Sequence, residues 1–131
     1  MPTTAAMHSS PPETAETTGL QIPAPTYVRA QQIRTVVIRR LRNLLREVDV
    51  IATPAALGPA PAGLASTGSP VLNRPFSFTG FPSISVPCGF TEAGLPIGLQ
   101  IAGRPFDEAT VLQVAAAYEA VTGWGKRITP L

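Results

Sequence analysis

The sequence predicts an α/β fold in which helices flank a small sheet. Apolar residues recur with a helical period between residues 26 and 48 and again after Asp107, whereas they alternate with other residues along 95–102. The chain has 131 residues, of which 15 are proline and 11 are glycine. This density argues against a helical bundle, because proline removes a backbone donor and clashes inside a helix. The length fits one small domain.

Composition and charge exclude several classes of protein. Hydrophobic residues make up 44% of the chain and charged residues 14%, which is the opposite of the balance in a fully disordered protein. The net charge of +2 is too small to indicate a nucleic-acid or membrane partner. A single cysteine, Cys88, and a single histidine, His8, cannot complete an ordinary zinc site. We therefore predict neither a metal nor another cofactor.

The start of the chain carries no targeting signal. Residues 1–19 lack the basic and apolar regions of a secretory signal, and the sequence contains no apolar stretch long enough to span a membrane. The default expectation is a cytoplasmic protein. Residues 1–18 are predicted to be a disordered or unnatural tail and residues 19–131 the folded part. His8, Ser9 and Ser10 lie in this tail, and we expect them to be solvated because a catalytic serine needs a rigid frame.

The first helix is predicted over residues 26–48. Its apolar stripe consists of Ile33, Val37, Leu41, Leu44, Leu45 and Val48. Six arginines fall off this stripe or on its flank, and they favour the solvated face of an amphipathic helix over a nucleic-acid surface. A strand over Val48–Ala52 follows and is expected to end at Pro54. A long irregular connection then runs through Ser69.

A packed segment, a hairpin and a second helix complete the predicted order α, β, β-hairpin, α. Residues 70–82 hold three phenylalanines and predict a packed loop or a short helix. Residues 83–90 and 95–102 predict the two strands of a hairpin around a turn at 91–94. Asp107 is a natural N-cap and Gly123 a natural terminator of the last helix. Its predicted apolar face consists of Val111, Leu112, Val114, Ala115, Tyr118 and Val121.

Residues 74–119 contain motifs more specific than this secondary structure requires. They are Gly80-Phe81-Pro82, Val86-Pro87-Cys88-Gly89, Gly94-Leu95-Pro96-Ile97-Gly98-Leu99-Gln100 and Gly103-Arg104-Pro105-Phe106-Asp107-Glu108. In this order they closely resemble the C-terminal end of the amidase signature family of amide hydrolases. Upstream, Tyr27-Val28-Arg29-Ala30 and Asp49-Val50-Ile51-Ala52-Thr53-Pro54 agree with the same family in order and spacing. One departure is Ser77, where the family commonly has asparagine.

The resemblance covers roughly four-fifths of the chain and implies both a fold and a reaction. The implied fold is the C-terminal portion of the amidase signature fold, part of a mixed sheet flanked by helices and incomplete on its own. Intact members hydrolyse carboxamides to carboxylate and ammonia, or pass ammonia onward as amidotransferase subunits, with a Ser–cis-Ser–Lys triad. The only lysine here is Lys126, and no Gly/Ser-rich loop is present. We therefore expect a C-terminal fragment that is inactive alone. The alternative is a non-catalytic module that pairs with an amidase-like partner.

The resemblance assigns structural rather than catalytic residues to this chain. Arg74 is the single candidate for substrate binding, because it stands beside the loop leading to the Gly-x-Pro turn. The motif residues expected to shape the sheet and its turns are Gly80, Pro82, Pro87, Gly89, Gly94, Pro96, Gly98 and Gln100. Cys88 is expected to be a small buried residue. Gln100 is expected to point to the sheet face opposite its apolar neighbours rather than into a substrate. Asp107 and Glu108 suit a helix start better than acid–base catalysis.

Partners and substrate are only broadly constrained. The resemblance implies a small-molecule amide as substrate of the intact family enzyme. Uncharged strands such as residues 83–86 leave open sheet edges, which promote association unless they are covered. We therefore expect the isolated chain to self-associate or to bind an amidase-like partner chain. The sequence does not distinguish a simple amidase from an amidotransferase component.

Overall fold

A computed structural model describes residues 19–63 and 65–126. The described residues before Arg34 belong to one compact unit, and those from Arg34 onward form another. Helix α1 spans Ala24–Leu44. The later elements are β1 (Ile51–Pro54), α2 (Arg74–Thr79), β2 (Ser83–Phe90), β3 (Pro96–Ala102), α3 (Glu108–Thr122) and a 3₁₀ turn (Trp124–Lys126). The predicted tail, with His8, Ser9 and Ser10, lies outside the described residues.

The three strands form an antiparallel sheet in the order β1–β3–β2. The central row of the sheet places Gln100 of β3 between Thr53 of β1 and Ser85 of β2. The pairing of β2 with β3 is interrupted by an irregularity between Pro87 and Gly89. The α/β class and the hairpin predicted from the sequence are confirmed, and β1 adds to the far side of β3.

Each face of the sheet contacts residues in or next to different helices. On one face, Ile101 and Val86 pack with Val111 and Ala115 of α3. On the other, Ala102 packs with Leu45, which follows α1, and with Phe76 and Phe81 around α2. Ile101 is only 2% exposed and Ala102 is fully buried, so the end of β3 is the centre of the core. Burial of one such apolar side chain stabilises a fold by roughly 1.5–3 kcal/mol.

Each of the three strands contains a proline: Pro54 ends β1, Pro87 lies within β2 and Pro96 begins β3. The N–H of Ala55 donates to the carbonyl of Gly98, and the N–H of Gly103 donates to the carbonyl of Pro82. Because hydrogen-bonded and non-hydrogen-bonded pairs alternate in an antiparallel ladder, the nitrogens of Pro54 and Pro87 face away from β3. Neither proline therefore removes a ladder bond. The prediction that the first strand ends at Pro54 is confirmed, whereas its predicted start at Val48 was wrong, since β1 covers Ile51–Pro54.

The apolar faces of the helices are narrower than their sequences predict. Ile33, Leu44 and Val48 belong to the predicted stripe of the first helix, but they are 51%, 47% and 41% exposed, so these three positions of the stripe were wrong. In α3, Leu112 is 56% and Val121 87% exposed, so these two positions of the predicted face were wrong. The physical reason is that α3 packs on a single sheet face, which accommodates only a strip along the helix.

The ends of α3 are built by the turn residues on either side. Asp107 precedes the helix as predicted, but its carboxylate makes no cap to the backbone. Its Oδ1 instead accepts a hydrogen bond of 2.8 Å from the hydroxyl of Thr110. Gly123 adopts a left-handed conformation with φ of 65° and donates its N–H to the carbonyl of Glu119, which confirms the predicted terminator. Trp124 then lies against Phe90, with ring centroids 6.1 Å apart.

Candidate functional site

A polar network centred on the buried side chain of Gln100 crosses the face of the sheet. The Nε2 of Gln100 donates a hydrogen bond of 3.0 Å to Oδ1 of Asn73. Its Oε1 accepts a hydrogen bond of 3.2 Å from the hydroxyl of Thr53. Gln100 is only 6% exposed, so both ends of its amide need partners inside the protein. The two hydrogen bonds fix the orientation of this side chain and tie the start of α2 to the sheet.

The network is positioned by three separate elements. Thr53 and Gln100 are directly opposite each other on β1 and β3, and they lie on one face because side chains in facing positions share a face. Asn73 is the residue before α2, whose first turn contains Pro75. Proline is favoured in a first turn because its missing N–H would be unpaired there. The sequence therefore starts α2 at the point where Asn73 reaches Gln100.

An uncharged groove lies next to this network. It has a volume of about 540 Å³. Its lining consists of Ala56, Leu57, Gly58, Pro59, Ala60, Pro61, Thr67, Gly68, Ser69, Pro96 and Gly98. Because no lining side chain carries a charge, the groove suits a neutral, partly apolar group. It offers neither a base nor a nucleophile with a partner base, so its chemistry is binding and orientation.

Gly98 links the groove to the sheet. A Cβ at this position would lie 2.7 Å from the hydroxyl oxygen of Ser85 and 2.9 Å from Cβ of Ala55. Real Cβ contacts are longer than this, so only glycine allows the two neighbouring strands to approach here. The requirement for glycine at this position of the motif is therefore a packing requirement beside the groove.

The remaining predicted site residues are spread along turns and strand ends. Arg74 is exposed at the first position of α2, next to Asn73 in sequence. Gly80 and Gly94 have φ of 76° and 82°, a region that favours glycine, and they form the turns predicted for them. The structure places Pro82 before β2, Pro87 and Gly89 within β2, and Pro96 at the start of β3. Gln100 and Gly98 are thus brought together on β3, whereas the turn glycines are structural.

Other candidate reactive groups gain no catalytic partners. Cys88 is half-buried, rather than fully buried as the sequence predicted, and it lies at the irregularity of the β2–β3 register between Pro87 and Gly89. Asp107 pairs with Thr110 and lies 3.7 Å from a guanidinium nitrogen of Arg104. Among residues 19–63 and 65–126, no group of three or more His, Cys, Asp or Glu side chains is arranged to hold a metal ion.

Sequence reasoning missed Thr53 and Asn73 as parts of the network. They lie 47 and 27 residues from Gln100, so no local pattern connects them. The one usable signal in the sequence was the alternation along β3, in which the polar Gln100 stands between apolar residues. In the structure β3 is the central strand, paired with both β1 and β2. A buried amide of that kind requires partners across the sheet.

Sequence comparison gives the family of this chain. A match to the Amidase family covers residues 14–112, more than half of the chain. The chain belongs to the amidase signature family. The A subunit of glutamyl-tRNA(Gln) amidotransferase from Chloroflexus aggregans is 47% identical to this amidase-family chain over 108 residues, which are 77% of the chain. The corresponding protein of Myxococcus xanthus is 40% identical over 114 residues, or 80% of the chain.

The match covers only a small part of these relatives. It spans 22% of the C. aggregans protein and 23% of the M. xanthus protein. A crystal structure of an amidase superposes with a TM-score of 0.74 and 28% identity, over 86% of this chain and 29% of the amidase. The described fold therefore corresponds to about a quarter of an amidase. In the part of the chain that the structure describes, no helix has both the length and the apolarity to cross a membrane.

Proposed function

We propose that this chain is the C-terminal portion of an amidase-type protein and takes part in carboxamide hydrolysis only together with the rest of the family fold. One observation carries this proposal: the chain matches the family strongly, yet its sequence lacks the lysine and the serine loop expected of the family's catalytic triad. Identity to the C. aggregans relative is 47%, yet the match spans 22% of that protein. The 131 residues contain one lysine and no Gly/Ser-rich loop.

Acyl transfer explains why the missing groups matter. A serine hydroxyl attacks an amide carbon only if a base removes its proton and backbone donors hold the oxyanion that forms. In the family that this chain resembles, a lysine and two serines share that work. Lys126 is exposed in the 3₁₀ turn after α3 and makes neither hydrogen bond of the polar network on the sheet. In this proposal the chain alone does not hydrolyse amides.

The contribution of this chain is a rigid binding surface. The Thr53–Gln100–Asn73 network holds α2 against the sheet, and the uncharged groove beside it accommodates the neutral part of an amide substrate. Arg74 stands next to Asn73 and is exposed, so it remains the proposed contact for a polar or anionic substrate group. Gly98 lines the groove, and a larger residue there would displace Ser85 or Ala55.

A second candidate is a non-catalytic module that binds an amidase-like partner chain. The observation favouring it is that the relatives are named as the A subunit of an amidotransferase, a name that implies assembly with other subunits. In this version the amide nitrogen is transferred to an acceptor rather than released. Either version keeps the cytoplasmic location expected from the sequence.

Ammonia release from glutamine and from a simple aryl amide tests the proposal. The purified chain is assayed alone and after mixing with a separate chain that carries the part of the C. aggregans relative outside its matched residues. We expect background rates from each chain and turnover from the mixture. A Cys88→Ala variant controls for thiol chemistry and should behave as the unchanged chain. Turnover well above background by the chain alone would overturn the proposal.

A mixture that binds but releases no ammonia with either amide would favour the non-catalytic module. Adding an acceptor carboxylate and ATP then tests transfer directly, because transfer needs an activated acceptor for the ammonia. Absence of any complex between the two chains would contradict both versions.

A further inference from the structure

Three arginines line a groove on one side of α1. The groove has a volume of about 330 Å³ and is lined by Thr35, Ile38, Arg39, Arg42, Asn43 and Arg46. The arginines are three and four residues apart, a spacing that brings side chains to the same side of a helix. Arg46 lies in the turn that follows α1, where its N–H donates to the carbonyl of Asn43. The lining of the groove therefore carries three positive charges and no carboxylate.

The positive charge of the chain is concentrated around this helix. α1 contains five arginines and no aspartate or glutamate, whereas the whole chain has a net charge of only +2. Arg39, Arg42 and Arg46 are all exposed. The field at a surface depends on the charges near it, so clefts lined by one sign of charge attract counter-ions. The small net charge of the chain is therefore compatible with a strong local attraction for an anion.

The groove arginines lack the structural contacts that other arginines of this chain make. In the same helix, Arg34 donates a hydrogen bond of 2.6 Å from Nε to the carbonyl of Phe78. Arg104 supplies donors to the carbonyls of Leu45 and Val48 after the helix. Over residues 19–63 and 65–126, no side chain of the three groove arginines is hydrogen-bonded or ion-paired. Their guanidinium groups are thus available to a ligand.

Guanidinium groups gathered in one groove match the chemistry of phosphate. Each presents a planar fork of N–H donors that binds two phosphate oxygens at once. The volume of the groove is at the lower end of the range for small-molecule sites, which favours a compact anion over a long polymer. Its lining contains no aromatic side chain, so the bases of a nucleic acid would find no stacking surface there.

We infer that this groove binds a small polyphosphate, a molecule with two or three linked phosphate groups. Arg39, Arg42 and Arg46 bind its oxygens, and Asn43 offers an amide N–H₂ to a further oxygen. None of these residues belongs to the Thr53–Gln100–Asn73 network or to the lining of the uncharged groove. The inference therefore adds a second binding site to the chain and does not depend on the proposed amide chemistry.

Calorimetric titration of the full chain with inorganic tripolyphosphate at low salt tests this inference. The unchanged chain is compared with Arg39→Gln and Arg42→Gln. We expect each variant to bind at least about fivefold more weakly, because a charge-assisted hydrogen bond is lost. Arg40→Gln is the matched control, since it removes the same charge from an exposed position of α1 outside the groove. It should bind within about twofold of the unchanged chain.

Arg42→Lys separates recognition by the guanidinium fork from attraction by charge alone. The lysine keeps the positive charge but has no planar fork, so we expect binding at least about threefold weaker than that of the unchanged chain. Circular dichroism of every variant checks the fold, and these exposed positions should leave the spectrum unchanged. Full affinity in Arg42→Lys would contradict recognition by the fork.

Three further outcomes would overturn the inference. Absence of binding to tripolyphosphate at millimolar concentration and low salt would show that the groove is a solvated helix surface. Equal weakening by Arg40→Gln and Arg42→Gln would show that the anion responds to the charge of the whole helix and not to the groove. A short single-stranded RNA is titrated in parallel. RNA binding that is tighter than tripolyphosphate binding, and is weakened by the same two groove variants, would assign the groove to a nucleic-acid backbone.

Discussion

Arg104 donates a hydrogen bond of 2.8 Å from Nε to the carbonyl oxygen of Leu45, which lies 59 residues earlier in the chain. A second nitrogen of the same guanidinium lies 3.2 Å from the carbonyl oxygen of Val48. The last carbonyls of a helix have no partner within the helix, and Leu45 directly follows α1. One side chain in the turn after β3 therefore holds the segment that leads from α1 into β1.

We expect Arg104→Ala to lower the free energy of unfolding by about 1–3 kcal/mol, because it leaves the carbonyl of buried Leu45 without its donor. Arg104→Lys should recover only part of this loss, since an ammonium lacks the planar fork that reaches two carbonyls together. The ion pair with Asp49 contributes little, because the Asp49 side chain is 82% exposed.

Urea unfolding followed by the fluorescence of Trp124, the single tryptophan, measures the effect. Arg40→Ala, at an exposed position of α1, is the matched control and should change stability by less than about 0.5 kcal/mol. Equal effects of the two alanine variants would contradict the role of Arg104.

Gly103 allows α3 to pack against the end of β3. A Cβ at this position would overlap Cγ2 of Val111, and Val111 is only 3% exposed. Gly103→Ala should therefore destabilise the fold by about 1–3 kcal/mol through overpacking. Combining it with Val111→Ala should cost less than the sum of the two single changes, because the shorter side chain removes the overlap. Strict additivity in the double-mutant cycle would show that the overlap is relieved in some other way.

The parts of the fold that the sequence predicted well are those with a local cause. The hairpin follows from the alternation along 95–102 and the glycine of its turn, and the end of α3 follows from Gly123. Contacts between distant segments were not predictable, and Arg104 is the clearest case. It belongs to a family motif, yet nothing local indicates that its partners are the carbonyls of Leu45 and Val48. Leu112 and Val121 were predicted to be buried because periodicity identifies the apolar face of a helix. It does not show how much of that face the sheet covers.

For the candidate site, the sequence supplied Gln100 without the residues that satisfy it. Gln100 stabilises the fold through a hydrogen bond at each end of its amide. The variant Gln100→Glu keeps the shape of the side chain and removes its N–H donor, so it tests the hydrogen bonding separately from the packing. At neutral pH the carboxylate has no proton to donate to Oδ1 of Asn73, so we expect a loss of about 1–3 kcal/mol in the free energy of unfolding. Lowering the pH until this carboxyl protonates should reduce the loss relative to the unchanged chain at the same pH, because a protonated carboxyl donates again. Gln113→Glu, at an exposed position of α3, is the control and should show neither effect.

The two sides of α3 offer a direct comparison of neighbouring residues. Val111 packs between Gly103 and the sheet, whereas Leu112, the next residue, is 56% exposed. Val111→Ala should destabilise the isolated chain by about 2 kcal/mol through loss of buried apolar area and the cavity that remains. Leu112→Gln should change its stability by less than about 0.5 kcal/mol, because an exposed side chain loses little on replacement. In the mixture with the remaining amidase part, Leu112→Gln becomes costly only if that part covers the outer side of α3. Urea unfolding of both variants, alone and in the mixture, therefore shows which face of the helix the isolated chain uses and whether the partner uses the other.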